Sequence, residues 1–393
     1  MQLAHRLDEI APFYVMEVMK AAAALQAQGR DVIHLSVGEP DFTAPPAVVA
    51  ALQAAAQAGK TQYTDALGTP ALRQAIAQHY ADHYGQAVDP TRIVVTAGAS
   101  AALLLICHAL LNAGDEVLMP DPCYPCNRHF VAACGAHAKL IPAGPAQRFQ
   151  LTAADVVAHW GPHTRGVLLA SPSNPTGTTI PPEELARIAA EVRARGGFLI
   201  VDEIYGGLVY DHPASTALSL RNELGDELGD DVIIINSFSK YFHMTGWRLG
   251  WLVMPPALLP ALEKLAQNFF ICPSVLAQHA ALACFTPESL AIYAARKAEL
   301  QARRDYLVPA LNALGLHVPV MPDGAFYVYA DCSRFNASSE AFVFDMLEKT
   351  GVCFVPGKDF GVSAPERYVR ISFATALPRL QEAVGRLKSH IHT

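Results

Sequence analysis

Short apolar runs alternate with longer stretches of helical spacing along most of this chain. An Ala-rich helical stretch over 13–29 closes at Gly29, and a short strand over 32–35 runs into the turn Gly38-Glu39-Pro40-Asp41. Helices are predicted over 46–58 and 70–84. A buried strand follows at 93–96, then an apolar helix from about Ser100, then a strand at 116–119 ended by Pro120-Asp121-Pro122. Further strands at 166–170, 198–202 and 231–236 accompany a helix at 182–195. Continuous apolar strands separated by helices predict an α/β fold: a mostly parallel central sheet with helices on both faces. Ligands of such sheets bind beyond the carboxyl ends of the strands, so the residues just after each strand hold the chemistry.

The pattern then changes. Residues 256–307 read as helical throughout, and strand-like runs at 316–318, 325–329, 352–355 and 368–373 are separated by helical ones. This predicts a smaller α+β domain, with the N-terminal helix packed against it. The expected division is 1–45 as N-terminal arm and part of the small domain, 46–290 as large domain, and 291–393 as small C-terminal domain. There is no internal repeat and no low-complexity segment.

Composition narrows the function classes. The 393 residues are 52% hydrophobic and 17% charged, which marks an ordered chain long enough for two or three domains. The net charge is −7 and no dense Lys/Arg stripe stands out, so a nucleic-acid partner is not expected. The eight cysteines lie apart, except Cys123 and Cys126, and do not form a disulfide framework. A reducing, cytoplasmic compartment follows. Residues 1–14 carry charges early and lack the apolar centre of a signal peptide. The apolar stretch 101–111 contains His108 and is too short to span a bilayer, so no membrane partner is expected.

Candidate chemistry clusters after the strands. In Ser237-Phe238-Ser239-Lys240, two hydroxyls flank a lysine, and Arg248 follows. That set suits a phosphate-bearing carbonyl compound: an amine to bond the carbonyl, the rest to hold phosphate. Asp202 ends an apolar strand and precedes Tyr205; a buried acid there could keep a ring nitrogen protonated. Asn174 lies in the Pro/Gly turn 171–177. The turn Gly98-Ala99-Ser100 lets backbone N–H groups approach a phosphate at a helix start. Tyr124 could stack on a flat ring, and Arg370, inside an apolar strand, needs a carboxylate. Each feature has a plainer reading alone: a surface lysine, a capping acid, a structural turn, close helix packing, a rim tyrosine, an internal ion pair. Metal binding is not expected. Cys123 and Cys126 have no second pair, and His79 and His83 lack the glutamate of a zinc-protease helix.

Taken in order, these residues resemble the class I/II aminotransferases of pyridoxal 5′-phosphate (PLP) fold type I. The resemblance runs from Gly38-Glu-Pro-Asp-Phe through Tyr63, Gly98-Ala99-Ser100, Tyr124, Asn174-Pro-Thr-Gly, Asp202-Glu-Ile-Tyr205 and Ser-Phe-Ser-Lys240 to Arg248 and Arg370. It implies transfer of an amino group between an L-amino acid and a 2-oxo acid by a ping-pong mechanism. Lys240 matches the lysine that carries the cofactor and later moves the proton. Asp202 matches the partner of the ring nitrogen; Asn174 and Tyr205 match the residues bonding the ring oxygen. Ser237, Ser239, Arg248 and the Gly98–Ser100 turn match the phosphate cradle, and Tyr124 the stacking aromatic. Arg370 matches the arginine that grips the substrate carboxylate, with Gly38 and Asn174 beside it. Tyr63 matches a tyrosine that reaches the phosphate of a neighbouring subunit, which implies a homodimer with shared sites.

Substrate choice departs from the family's aspartate enzymes. Where those carry Ser and Thr after an N-terminal proline, this chain reads Pro12-Phe13-Tyr14-Val15-Met16. That favours a neutral or aromatic side chain. An acidic substrate is the alternative if Arg128 or His243 lines the pocket. A C–S β-lyase on the same fold is a further alternative.

Overall fold

The computed structural model describes residues 3–220 and 229–391, so the outermost residues of the expected N- and C-terminal divisions lie outside the described residues. Helix α1 (Tyr14–Ala27) leads into the two-residue strand β1 (Ile33–His34), and α2 (Pro46–Gln57) and α3 (Pro70–Tyr84) follow. The ends of α3 are written locally. Pro70 takes the first helical position, the Thr69 hydroxyl accepts the Leu72 N–H, and Gly85 ends the helix. Next come β2 (Ile93–Thr96), α4 (Ala99–Leu110), β3 (Glu116–Asp121), α5 (Pro125–Ala133), β4 (His137–Pro142) and α6 (Ala153–His159). Then β5 (Thr164–Ala170), α7 (Pro182–Ala194), β6 (Phe198–Asp202), β7 (Val232–Ser237) and β8 (Gly250–Val253) complete the first sheet. After α8 (Leu259–Phe269), α9 (Val275–Ala281) and the long α10 (Pro287–Leu314), the chain builds β9 (Tyr327–Asp331), α11 (Ser339–Thr350) and β10 (Val352–Cys353). It ends with β11 (Val355–Pro356), β12 (Tyr368–Ser372) and α12 (Leu377–Ile391).

Seven strands form one sheet in the order β2-β8-β7-β6-β5-β3-β4. Only β8 runs antiparallel to its neighbours β2 and β7. Two reversals cancel, so β2 is parallel to β7 and the strands from β7 to β4 share one direction. The carboxyl ends of β2, β3, β5, β6 and β7 therefore lie along a single edge.

Strand residues alternate between two apolar layers, as a period of two requires. Val167, Leu169, Val201 and Ile234 face the side covered by α2, α3, α7 and α9. Leu168, Ile200, Ile233 and Ile235 face α4 and α8. Trimming one of these fully buried leucines to alanine costs about 2–5 kcal/mol, which makes the sheet a rigid base for what sits on its edge.

A second core draws on both chain ends. In it β1 pairs with β10 in parallel, Ile33 opposite Val352, and Val18 and Ala22 of α1 pack with Phe326, Val343, Ile371 and Leu387. Strand β12 is the middle of a three-stranded antiparallel sheet, with Arg370 opposite Val355 and Tyr329. Helix α10 runs unbroken past residue 290: its Leu290 packs on the sheet core, its Leu300 and Leu307 in the second core.

Several elements differ from the sequence expectation. The continuous helical pattern over 256–307 is interrupted between α8 and α9, where Pro273 lacks an N–H and Ile271 takes φ 65°. Strand β3 continues through Pro120 to Asp121; past Leu118 it pairs only with β4, so a residue without a donor is tolerated. The strand expected at 316–318 is a single bridge between His317 and Asp331. The one expected at 325–329 starts at Tyr327, because Ala325 has φ 56°. Strands β4 and β8 were not expected. No described helix is long and apolar enough to cross a membrane, and no group of metal-ligating side chains occurs among the described residues.

Candidate active site

A cavity of about 240 Å³ opens where the strand ends meet β9 and β12 of the second core. Ala99 and Ser100 enter it from the start of α4, and Tyr124 from the residue preceding α5. The loop after β5 contributes Asn174, and the end of β6 contributes Asp202 and then Tyr205. Ser239, Lys240 and Arg248 come from the segment between β7 and β8, Gly38 from the segment after β1, and Arg370 from β12. Residues spread over most of the chain thus converge because parallel strands end side by side.

Lys240 lies at the centre. Its Nζ donates to the Gly38 carbonyl at 2.5 Å. Burial lowers its pKa to about 8; Glu39 pulls it back up, and Arg370 and Arg248 push it further down. Asp202 is buried, and burial raises its carboxyl to about 7 against the pull of the Ile204 N–H, which it accepts at 3.1 Å. A carboxyl held that high is short of a cationic partner. It faces the cavity, and a protonated nitrogen placed there would satisfy it.

Arg370 is buried and only partly engaged. Its Nη1 donates to Asn174 Oδ1 at 3.0 Å and its Nη2 to the Ser36 carbonyl at 2.7 Å, while Nε has no hydrogen-bond partner among the described residues. The guanidinium packs against the rings of Tyr327 and Phe360, whose centroids lie 4.5 and 4.9 Å from its central carbon. A planar fork held in place, with a donor left over, suits a carboxylate. Tyr327 was missed in the sequence. Its hydroxyl lies 2.9 Å from that of Tyr205, and both side chains are buried.

At the other end of the cavity the backbone is cleared for an anion. Gly98, at φ 81°, precedes α4, and a Cβ there would stand 2.5 Å from Arg248 Nη2. Arg248 itself has φ 52° and is held by a bond from Nη1 to the Thr245 carbonyl. The guanidinium is thus delivered to the positive end of a twelve-residue helix, an arrangement suited to phosphate. Ser237 does not reach the cavity. It is buried beneath, donating to Ser239 Oγ and accepting the Ser239 N–H, so it fixes Ser239 instead.

Three expected or alternative residues lie elsewhere. Tyr63 is 80% exposed and outside the cavity. His243 is buried against the rings of Phe42 and Tyr293, and burial drops its pKa to about 3; it does not line the cavity. Arg128 donates to the Asp359 carbonyl and also lies off the lining. Phe13, Val15, Leu103 and Ile204 supply apolar lining to the cavity, and Phe13 and Val15 come from the N-terminal segment that the sequence singled out. Asp359 sets that wall by accepting the backbone N–H groups of Tyr14 and Val15, both at 2.7 Å.

Comparison with known proteins agrees with this geometry. The profile of the family described as aminotransferase class I and II matches residues 30–387. The chain is 44% identical to the valine–pyruvate aminotransferase of Mycobacterium tuberculosis, over 97% of this chain and 96% of that protein. It is 35% identical to the arginine–pyruvate transaminase of Pseudomonas aeruginosa, over 93% of this chain and 91% of that one. Among solved structures, an aminotransferase from Mycobacterium tuberculosis superposes with a TM-score of 0.93 at 43% identity, covering 100% and 99% of the two chains. The Thermus thermophilus aspartate aminotransferase with maleate gives 0.91 at 31% identity, covering 99% of each.

Proposed function

Because this chain belongs to the class I and II aminotransferases, enzymes that move an amino group between an amino acid and a 2-oxo acid, we propose that it does so with PLP bound to Lys240 and a neutral, apolar amino acid as donor. The observation that carries this reading is a half-buried lysine and a buried carboxyl without an ion-pair partner among the described residues, both facing one cavity that also holds an arginine with a donor left over.

The residues present fit the cofactor. Asp202 lacks the cation that a protonated pyridine nitrogen would supply. Gly98 leaves Arg248 room at the start of α4, and only glycine does so. Ser100, Ser239 and Arg248 would hold the phosphate, Asn174 and Tyr205 the ring oxygen, and Tyr124 one face of the ring. When bound, PLP supplies a sink for the electron pair left at the substrate Cα.

The protein's own residues do the rest. Arg370 binds the α-carboxylate and, being packed against two rings, fixes the direction of the Cα–H bond. Lys240 Nζ, lowered to about 8, is neutral in part near pH 7 and can take that proton and return it. Phe13, Val15, Leu103 and Ile204 receive the side chain and exclude water from it. Valine, which the mycobacterial relative's name specifies, has the shape and polarity this wall accepts.

The same reading extends to assembly and division of the chain. We read Tyr63, largely exposed, as completing the phosphate end of a second copy, in a homodimer with shared sites. The parts 1–45 and 291–393 form the small domain around the second core, and 46–290 the large one. The eight free cysteines support a reducing, cytoplasmic setting.

A half-reaction screen tests the proposal. PLP-loaded protein is given single amino acids without an oxo acid, and the visible spectrum is followed. Valine and other neutral or aromatic donors should convert the cofactor to its amine form fastest. Faster conversion by aspartate or glutamate overturns the apolar-wall argument. Release of oxo acid without the amine form of the cofactor assigns a lyase instead.

A further inference from the structure

The Tyr327 ring holds Arg370, but its hydroxyl has no part in the roles given so far, and it lies among residues that do. Its hydroxyl is 2.9 Å from that of Tyr205, its ring lies under the Arg370 guanidinium, and the hydroxyl is 3.4 Å from where a Cβ on Gly38 would sit. The two tyrosine hydroxyls are buried together with one short contact between them. In such a pair one hydroxyl must donate and the other accept, and the choice decides where the second proton points.

We propose that Tyr327 is a positioning residue of this enzyme: its hydroxyl donates to Tyr205, which commits the Tyr205 proton to the cavity. This rests on the PLP reading above. The asymmetry comes from the cations. Arg370 sits 4.5 Å from the Tyr327 ring and stays charged, and it draws electron density from that ring. Lys240 stands farther from the Tyr205 ring, at 5.9 Å, so its pull on that phenol is weaker. The more electron-poor phenol is the better donor. A hydroxyl that accepts one hydrogen bond is in turn a stronger donor in the next, so Tyr327 strengthens whatever bond Tyr205 makes in the cavity.

The consequence is spectroscopic. A donor from Tyr205 to the ring oxygen stabilises the form of the lysine–PLP linkage that has lost its proton, since more negative charge then rests on that oxygen. Tyr327→Phe keeps the ring under Arg370 and removes only the hydroxyl. It should raise the midpoint of the pH titration of visible absorbance by about half to one pH unit, the scale of one neutral hydrogen bond. Tyr205→Phe should raise it further, and the double variant should match Tyr205→Phe alone. That equality distinguishes action through Tyr205 from a general loosening, and supports the proposal even if Tyr327→Phe lowers the melting temperature. An unchanged midpoint, a lowered one, or additive shifts in the double variant overturn it. If the wild-type protein with PLP shows no band that Lys240→Ala abolishes, the PLP reading fails and this proposal with it.

Discussion

Arg370→Lys is the sharpest test of how the substrate is held. The wild-type guanidinium spends one donor on Asn174 Oδ1 at 3.0 Å and one on the Ser36 carbonyl at 2.7 Å, and keeps Nε and the remaining N–H positions for a carboxylate. Lysine keeps the charge but has neither the fork nor the flat face that Tyr327 and Phe360 grip. At least one charge-assisted hydrogen bond to the substrate is lost, worth about 1.5–3 kcal/mol, which is roughly ten- to hundredfold in KM. The assay compares valine with isobutylamine, the same skeleton without the carboxylate, in single-turnover conversion of the PLP form. The variant should lose its full factor on valine and almost none on isobutylamine. A KM for valine within twofold of wild type, or equal losses on both compounds, would refute the carboxylate role.

Four further outcomes are expected. Gly98→Ala should weaken PLP binding at least tenfold by equilibrium dialysis, because the new Cβ would stand 2.5 Å from Arg248 Nη2 at a backbone angle that disfavours alanine. Phe13→Ser should cut kcat/KM for valine by roughly tenfold, the scale of lost apolar contact, without creating activity on aspartate, since no cation is gained. The rate of PLP uptake by cofactor-free protein should rise with pH while the Lys240 amine loses its proton, reach half its plateau near pH 8 and level off about a unit higher. A rate still climbing near pH 10 would show that burial does not depress this lysine. Hybrid dimers of Lys240→Ala with Tyr63→Phe subunits should depart from the mean of the parents, and strict averaging would remove Tyr63 from a shared site.

What the sequence made legible was whatever leaves a local mark. Asp202 and Lys240 follow apolar strand runs, and Gly98 and Asn174 sit in turns rich in small residues or proline, so each could be placed beside the others before any coordinates. Tyr327 left no such mark: an apolar run such as 326–330 reads as core, and only the fold turns that tyrosine toward Tyr205. The roles offered to Arg128 and His243 failed for the same reason, because facing is decided by packing; His243 was claimed by Phe42 and Tyr293. Strand β8 escaped because Gly250–Val253 is short and follows Arg248, whose positive φ nothing in its residue type announces. Strand β4 ends in a proline and reads as irregular until β3 pairs with it. The break between α8 and α9 rests on Ile271 in a conformation that β-branched residues avoid, against their intrinsic preference.

Ser36 and Arg370 meet although 334 residues separate them. The strand that carries Ser36 toward the cavity, β1, pairs with β10, near the far end of the chain. On the ribosome, then, the first strand emerges long before the strand it pairs with, so Ile33 and Leu35 cannot reach their final packing until then. The sheet with Asp202 and Lys240 can fold from residues already made, but the carboxylate grip cannot exist until Arg370 has left the exit tunnel. A chain that stops before β12 would therefore lack Arg370 while carrying every strand of the seven-stranded sheet.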